Sequence, residues 1–393
     1  MKIPFYNAEL DVRPIDDESR VPARLMAGRA FGIDCQRWYV RETSFAGFDH
    51  SGTLVCAYEC KPEVMWWGTA QIPACAIGNM ATDPQHQGRG HAGGLMVEAV
   101  HRMREMGFWI SPLWPFSFAW FGKFGWTCPS PFLKINVWPD LVRMLDVPVG
   151  DIRKAEPKDA PQVSRLYTEG AQSTNCQSAR SDGDWDKRGW LRNTWVLEDS
   201  GGAVRASAVL HITAIERGQG KLATVRELHG TLFPDQLALV RALAELDDVV
   251  KLELNLPPQS LFIHAFPGRP EVTCYYRMAM RVLDVAQALR CLKPDEDLRA
   301  SVSFEVMDWI MDTERPVTVT ADVEGGQVET TRGAESGALR CDINTFTQLF
   351  CGGLSVAQAK AMNRLEGGGP AMDAVCDALL HQRLPYRSNL EMG

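Results

Sequence analysis

The segment 76–95 constrains the fold most tightly. An apolar stretch over 74–82 reads as a strand and ends at Pro84. A glycine-rich turn follows, Gln87-Gly88-Arg89-Gly90-His91-Ala92-Gly93-Gly94. The spacing then predicts a helix over 90–106, with Leu95, Ala99 and Met103 on one face, Met96 and Val100 beside them, and Gly107 as its stop. The first N–H groups of a helix point outward without intrahelical partners, and the helix dipole adds partial positive charge there. Gly88 and Gly90 let the backbone approach a pyrophosphate closely, and Arg89 adds charge. Strand, turn and helix together thus form a candidate anion site. A dinucleotide fingerprint competes, but its Gly-x-Gly-x-x-Gly frame is absent and no βαβ unit precedes the turn. A glycine turn that binds nothing is the bland alternative.

The rest of the chain falls into three blocks, which its 393 residues readily accommodate. In the first, 1–149, strands are predicted over 9–15, 53–60, 64–68, 74–82, 108–114 and 132–138, with helices over 18–31, 90–106 and 117–124. The second, 150–293, repeats that order without the glycine signature: strands over 152–155, 204–213, 223–230, 250–254 and 275–283, and helices over 157–171 and 234–246. Its 173–187 stretch is polar, and 218–221 reads as a hairpin turn because the Walker spacing is missing. The third, 294–393, has strands over 301–307, 316–323, 327–331 and 338–342, then helices over 344–351, 355–363 and 370–380. The fold class is therefore α/β and α+β: mixed twisted sheets with helices, then one sheet covered by helices.

Composition narrows the function. Forty-one Lys and Arg against 49 Asp and Glu leave a net charge of −8, a poor general polyanion binder, so no nucleic-acid partner is expected. The longest uncharged apolar run, 108–122, is broken by Pro112 and Pro115 and falls short of the roughly 20 residues of a membrane span. No signal peptide is predicted at the N-terminus. Eleven cysteines lack zinc spacing and read as free thiols of a cytoplasmic protein.

Gln87-Gly88-Arg89-Gly90-His91-Ala92 resembles the Gln/Arg-x-x-Gly-x-Gly/Ala motif of the GNAT acetyltransferases. Phe121-Gly122-Lys123-Phe124-Gly125-Trp126 resembles the aromatic segment at the other wall of a GNAT acyl site. The whole chain resembles the Eis-like (enhanced intracellular survival) acetyltransferases: a GNAT domain, a second degenerate GNAT-like domain, and a C-terminal domain like sterol carrier protein 2. Arg226-Glu227-Leu228, 281–285 and 346–353 match in order. This resemblance implies an N-acetyltransferase that moves acetyl from acetyl-CoA to a primary amine, aminoglycoside- or lysine-like, by direct attack, with no metal. Met80, Ala81 and Thr82 would line the pantetheine arm; Gln87, Gly88, Arg89, Gly90, His91, Ala92 and Gly93 would hold the pyrophosphate; Phe116 and Ser117 would close over it. The family's tyrosine acid falls at Phe121, which has no proton to give. The family's base, the terminal carboxylate, falls on Gly393 rather than an aromatic residue. A catalytically weak or inactive acyl-CoA-binding protein is the alternative, and Ser117, Tyr58 and Tyr39 are substitute acids. The resemblance also implies a homo-oligomer, a hexamer, and raises a lipid-carrier role for the last domain.

His86 and His91 flank the motif without a third metal ligand. Trp38, Trp66, Trp67, Trp114 and Trp120 read mostly as core. Asp182-Asp184-Asp186 reads as a solvated loop, since no calcium-loop glycine and glutamate follow.

Overall fold

A computed structural model describes Tyr6 and residues 9–36, 38–39, 42–147, 151–215, 218–333 and 336–392. Two compact units emerge. One combines 1–65, 70–129 and 278–382; the other combines 66–69, 130–277 and 383–393.

The first unit is built on two sheets. One runs in the order Asp11–Pro14, Ser44–Phe48, Leu54–Trp67, Ala70–Thr82, Ile110–Leu113, Ala279–Val282. Alternate residues of Leu54–Trp67 serve different helices, as the two-residue period of a strand requires. Tyr58 and Cys60 pack in one core with Leu95, Ala99 and Met103 of the helix His91–Glu105. Ala57 packs in another with Ala23, Met26 and Ala27 of the helix Asp17–Phe31. The two strands predicted over 53–60 and 64–68 are one continuous strand, because Lys61-Pro62-Glu63 lies extended along it rather than turning.

The other sheet runs Gln327–Arg332, Val317–Glu324, Ala300–Met307, Leu339–Asp342, Leu365–Glu366, beside the helices Ile343–Cys351, Val356–Ala361 and Pro370–Leu380. A buried ion pair ties it to the first sheet. Arg281, on the strand Ala279–Val282, is fully buried; its Nη2 donates to Asp308 Oδ2 at 2.6 Å and its Nη1 to the Phe124 carbonyl at 2.8 Å. Gly125 makes room for it: its φ is +92°, and a Cβ there would lie 1.6 Å from Arg281 Nη1.

The second unit has one sheet, ordered Glu271–Tyr275, Phe132–Val137, Val249–Leu256, Lys221–Gly230, Val204–Ala214, Thr194–Glu198, Ile152–Lys154. Two strand assignments change here. Phe132–Val137, predicted as the last strand of the first block, hydrogen-bonds within this sheet to Val249–Leu256 and Glu271–Tyr275. The strand predicted over 275–283 is the shorter Ala279–Val282, which pairs with Ile110–Leu113, and an unpredicted strand, Glu271–Tyr275, belongs to this sheet. An apolar strand buried on both faces carries no mark of its neighbours, so hydrophobicity alone cannot place it. The polar stretch 173–187 holds the strand Asn175–Ser178 and the helix Asp182–Lys187, whose start Asp184 caps through the Ser181 N–H. The hairpin at 218–221 joins Val204–Ala214 to Lys221–Gly230 as expected.

Residues 383–392 are stitched into this unit. Asn175 N–H donates to the Leu384 carbonyl, Tyr386 N–H to the Asn175 carbonyl, and Ser388 N–H to Gln177 Oε1. Arg180, buried, donates to both Glu227 oxygens at 2.8 and 2.5 Å and to Glu391 Oε1 at 2.8 and 2.6 Å. Burial alone would raise the Glu227 carboxyl, but the Arg180 charge outweighs it and holds the group at about 2, below its ordinary 4.5.

Two outcomes follow from these ion pairs. Arg281→Ala leaves Asp308 buried without its counter-ion, so denaturant unfolding should show a loss of about 3–5 kcal/mol. The Arg281→Ala, Asp308→Ala double variant should lose less than the sum of the single losses. For Glu227 the folded value lies below the unfolded one, so its contribution is present above pH 4.5 and lost as pH falls toward 2. Stability measured across that window should fall less steeply in Glu227→Gln than in the parent chain.

Candidate acyl-CoA site

The site begins where two parallel strands part. Ala70–Thr82 and Ile110–Leu113 share a single pairing, Ala74 with Ile110, supported by the Trp109 N–H to Pro73 carbonyl bond at 3.1 Å. Ile110–Leu113 instead pairs along its length with Ala279–Val282 on its other side. In register with Ala74 and Ile110, the strand Ile110–Leu113 reaches only Ile77, so Met80, Ala81 and Thr82 lie past its end and have no partner from that strand.

Asn79 sharpens this divergence. It adopts φ +52° inside the strand, a left-handed conformation that marks a bulge. Its Nδ2 donates to Glu59 Oε2 at 2.5 Å, and its carbonyl accepts from the Tyr39 hydroxyl at 2.8 Å. Glu59 and Tyr39 are both buried. Asparagine tolerates this backbone region better than β-branched residues do.

The turn comes next. Asp83 accepts from the Gln85 N–H at 3.0 Å and from Arg29 at 2.5 Å, which fixes the end of the strand; hydrogen bonding to Arg29 lowers its carboxyl below the usual range. A short turn, Pro84–His86, leads to Gln87, Gly88 and Arg89, all exposed. Gly88 and Gly90 take φ +76° and +82°. The helix His91–Glu105 then starts with no side-chain cap and no acidic residue in its first turn. By contrast, Asp16 caps Asp17–Phe31 and Asp342 caps Ile343–Cys351. An uncapped N-terminus behind two left-handed glycines offers backbone donors to an anion. Gly93 is buried and Ala92 half-buried, so the first turn sits close against the sheet. His91 is buried; desolvation first, then the charge of His86, lowers its imidazole, which favours the neutral form. Among the described residues no group of three His, Cys, Asp or Glu side chains could hold a metal ion.

The opposite wall is aromatic. Phe116 is 82% exposed. Ser117 Oγ accepts from the Trp120 N–H at 3.2 Å and opens the helix Phe118–Gly122. Phe121 is buried, its ring 4.8 Å from that of Trp120 and 5.2 Å from that of Phe116. The substitute acids have different partners. Tyr58 donates to Glu98 at 2.6 Å, and burial with that carboxylate raises its hydroxyl well above the usual range. Ser117 serves as a cap, and Tyr39 touches the bulge of the cofactor strand. Gly393 lies outside the described residues.

The C-terminal domain grips this wall through backbone carbonyls. Trp309 Nε1 donates to Lys123 at 2.8 Å, Asn344 Nδ2 to Gly122 at 2.8 Å, and Gln348 Nε2 to Cys128 at 2.6 Å. Gly353 packs so closely that a Cβ would lie 1.7 Å from the Pro129 carbonyl oxygen.

Sequence reasoning had placed the turn and the aromatic wall but not Asn79, Glu59 or this grip. The available signal was Gly78-Asn79, a turn-type pair inside an otherwise apolar strand. In the second unit the corresponding parallel strands, Lys221–Gly230 and Val249–Leu256, stay paired through Val225 and Leu254, and Asn255 Nδ2 then donates to the Val225 carbonyl at 3.4 Å.

Asn79→Val forces a β-branched residue into the left-handed region and should weaken acetyl-CoA binding about tenfold or more in calorimetry, whereas Asn79→Gly should keep most of the affinity. Equal affinities would show that the bulge does not shape the site.

Comparisons with known proteins fit this geometry. Residues 33–128 match the acetyltransferase (GNAT) domain model, and 285–388 match a sterol carrier protein domain. No curated protein matches in sequence. Among solved structures, a GCN5-related N-acetyltransferase from Anabaena variabilis superposes with a TM-score of 0.83 at 16% identity, covering 96% of this chain and 99% of its own. A probable N-acyltransferase from Enterococcus faecalis gives 0.80 at 18%, covering 97% and 99%. Eis1 from Mycobacterium abscessus gives 0.75 at 16%, covering 96% and 99%. At these identities the likeness shows the fold. The chain therefore carries a GNAT acetyltransferase domain over 33–128, followed by a sterol carrier protein domain over 285–388.

Proposed function

We propose that the protein is an Eis-like N-acetyltransferase that transfers acetyl from acetyl-CoA to a primary amine. The observation that carries this reading is the uncapped glycine turn at the end of a strand that has left its neighbour: one surface offers donors for a pyrophosphate and free backbone for a pantetheine arm. Gly88 to Gly93, with Gln87 and Arg89, hold the pyrophosphate. Met80, Ala81 and Thr82 hold the arm, and Phe116 and Ser117 cover it.

In the transfer, the neutral amine attacks the thioester carbonyl. The developing oxyanion is stabilised by backbone N–H groups of the parted strand, and the C–S bond breaks to release the thiolate. A thiol ionises near pH 8.5, so the thiolate leaves without an obligatory acid. This supports turnover with Phe121 in the tyrosine's place. The amine must lose a proton, and two carboxylates qualify: the chain terminus at Gly393, by family resemblance, and Glu59, which already meets the bulge through Asn79. Aminoglycosides and lysine-like amines are the first acceptors to test.

The second reading is a protein that binds acyl-CoA without transfer, and Phe121 favours it. Thiol release from acetyl-CoA across a panel of primary amines separates the two. Transfer predicts amine-dependent release; binding alone predicts none above background. Phe121→Tyr should raise kcat if a missing acid limits the rate. Glu59→Gln should lower kcat about 10²-fold or more at unchanged acetyl-CoA KM if Glu59 is the base. If removal of residues 392–393, which spares the Glu391 clasp, has that effect and Glu59→Gln does not, the terminal carboxylate is the base.

A further inference from the structure

The second unit holds a cavity of about 680 Å³ that the acyl-transfer reading does not use. It lies across three neighbouring strands, Val204–Ala214, Lys221–Gly230 and Val249–Leu256, within the size range of small-molecule sites. The sheet is irregular there: the register between the first two strands shifts at Val209 and Leu210, both of which line the cavity.

Its charge is one-sided. Arg188, Arg226 and Arg277 line it, against a single lining carboxylate, Glu253. Glu253 is already bridged to Lys134 Nζ at 2.8 Å. Arg188 comes within 3.8 Å of Glu391, but that carboxylate already receives two bonds from the buried Arg180. Arg277 stacks over the Tyr275 ring, 5.1 Å from its centre. Arg226, half-buried at the centre of the sheet, makes no hydrogen bond, ion pair or ring contact among the described residues. Gathering guanidinium groups round one cavity costs repulsion that an anion would relieve. The fork of each guanidinium matches a carboxylate or a phosphate in two hydrogen bonds. The remaining walls suit an organic body: Leu390 contributes apolar surface, and the Trp190 ring, held beneath Arg180 and Arg188, contributes an aromatic edge.

We infer that this cavity is a binding site for a small organic oxyanion, a carboxylate or phosphate on an apolar or aromatic body. Arg226 is the anchoring cation, and Arg188 and Arg277 flank it. The inference rests on the cavity's own lining and not on the acetyl-transfer reading.

Calorimetry on the full chain with four probes of similar size tests this: benzoate, phenyl phosphate, neutral benzamide and cationic benzylamine. The expected result is saturable binding of benzoate or phenyl phosphate, none of benzamide or benzylamine, and weakening with added salt. The preferred anion distinguishes a carboxylate ligand from a phosphate ligand. Arg226→Gln should weaken binding about 10–100-fold, and Arg226→Lys should retain part of the affinity. Arg188→Gln provides a second, exposed position whose loss should also weaken binding. Circular dichroism and melting temperature confirm that each variant is folded. Failure of both anions to bind at millimolar concentration, equal binding of the neutral or cationic probes, or unchanged affinity in folded Arg226→Gln would each overturn the assignment.

Discussion

Everything proposed for the first unit depends on two parallel strands meeting at one pair, Ala74 and Ile110, and then separating. In register with that pair, Ile110–Leu113 ends opposite Ile77, so the backbone groups of Met80 to Thr82 lie beyond its reach. Ile110–Leu113 is held on its other edge. Ala279–Val282 pairs with it throughout, and Arg281 on that strand is anchored by Asp308 and the Phe124 carbonyl. The far wall of the gap is held by the same arrangement. The C-terminal domain thus holds the segment 122–128 through its backbone carbonyls.

The sheet of the first unit that carries the glycine turn and the sheet of the second unit contrast in how they treat a pair of adjacent parallel strands. In the first, a left-handed Asn79 and two left-handed glycines open the cleft and leave a helix start uncapped. In the second, pairing continues further along the parallel strands, Asn255 bonds across them, and the Tyr386 hydroxyl donates to the Asn255 carbonyl at 3.3 Å. The C-terminal tail is therefore a structural component of the second sheet, with Arg180 between Glu227 and Glu391 as its clasp. What that sheet keeps open is a different cavity, cationic rather than glycine-lined.

Much of this was legible in the chain. The helix 91–105 was found within a residue because its apolar face repeats at 3.6 residues and glycines bound it. The C-terminal helices were found for the same reason; the strands expected there as a meander are present, but Leu339–Asp342 crosses over to pair parallel with Ala300–Met307. Other features were hidden because long-range pairing decides them. Phe132–Val137 and Ala279–Val282 are short and apolar, and nothing in their composition says which sheet they join. Lys61-Pro62-Glu63 looks like a turn but lies within an extended strand, where surface-exposed charges are tolerated. Arg281 reads as an ordinary charged residue until Asp308, 27 positions away, is brought to it. That Phe121 has no proton to give is plain from its chemistry, but the partners of Tyr39 and Tyr58 required three dimensions.

The central claim is that backbone groups at 80–82 and 88–93 hold acyl-CoA. Hydrogen–deuterium exchange with and without acetyl-CoA tests it directly. The account predicts slowed exchange at the amides of Met80 to Thr82 and Gly88 to Gly93, with the second unit's strands 221–230 and 249–256 unaffected. Acetyl-CoA binding that leaves 80–82 and 88–93 unprotected, or that protects the second sheet instead, would contradict it.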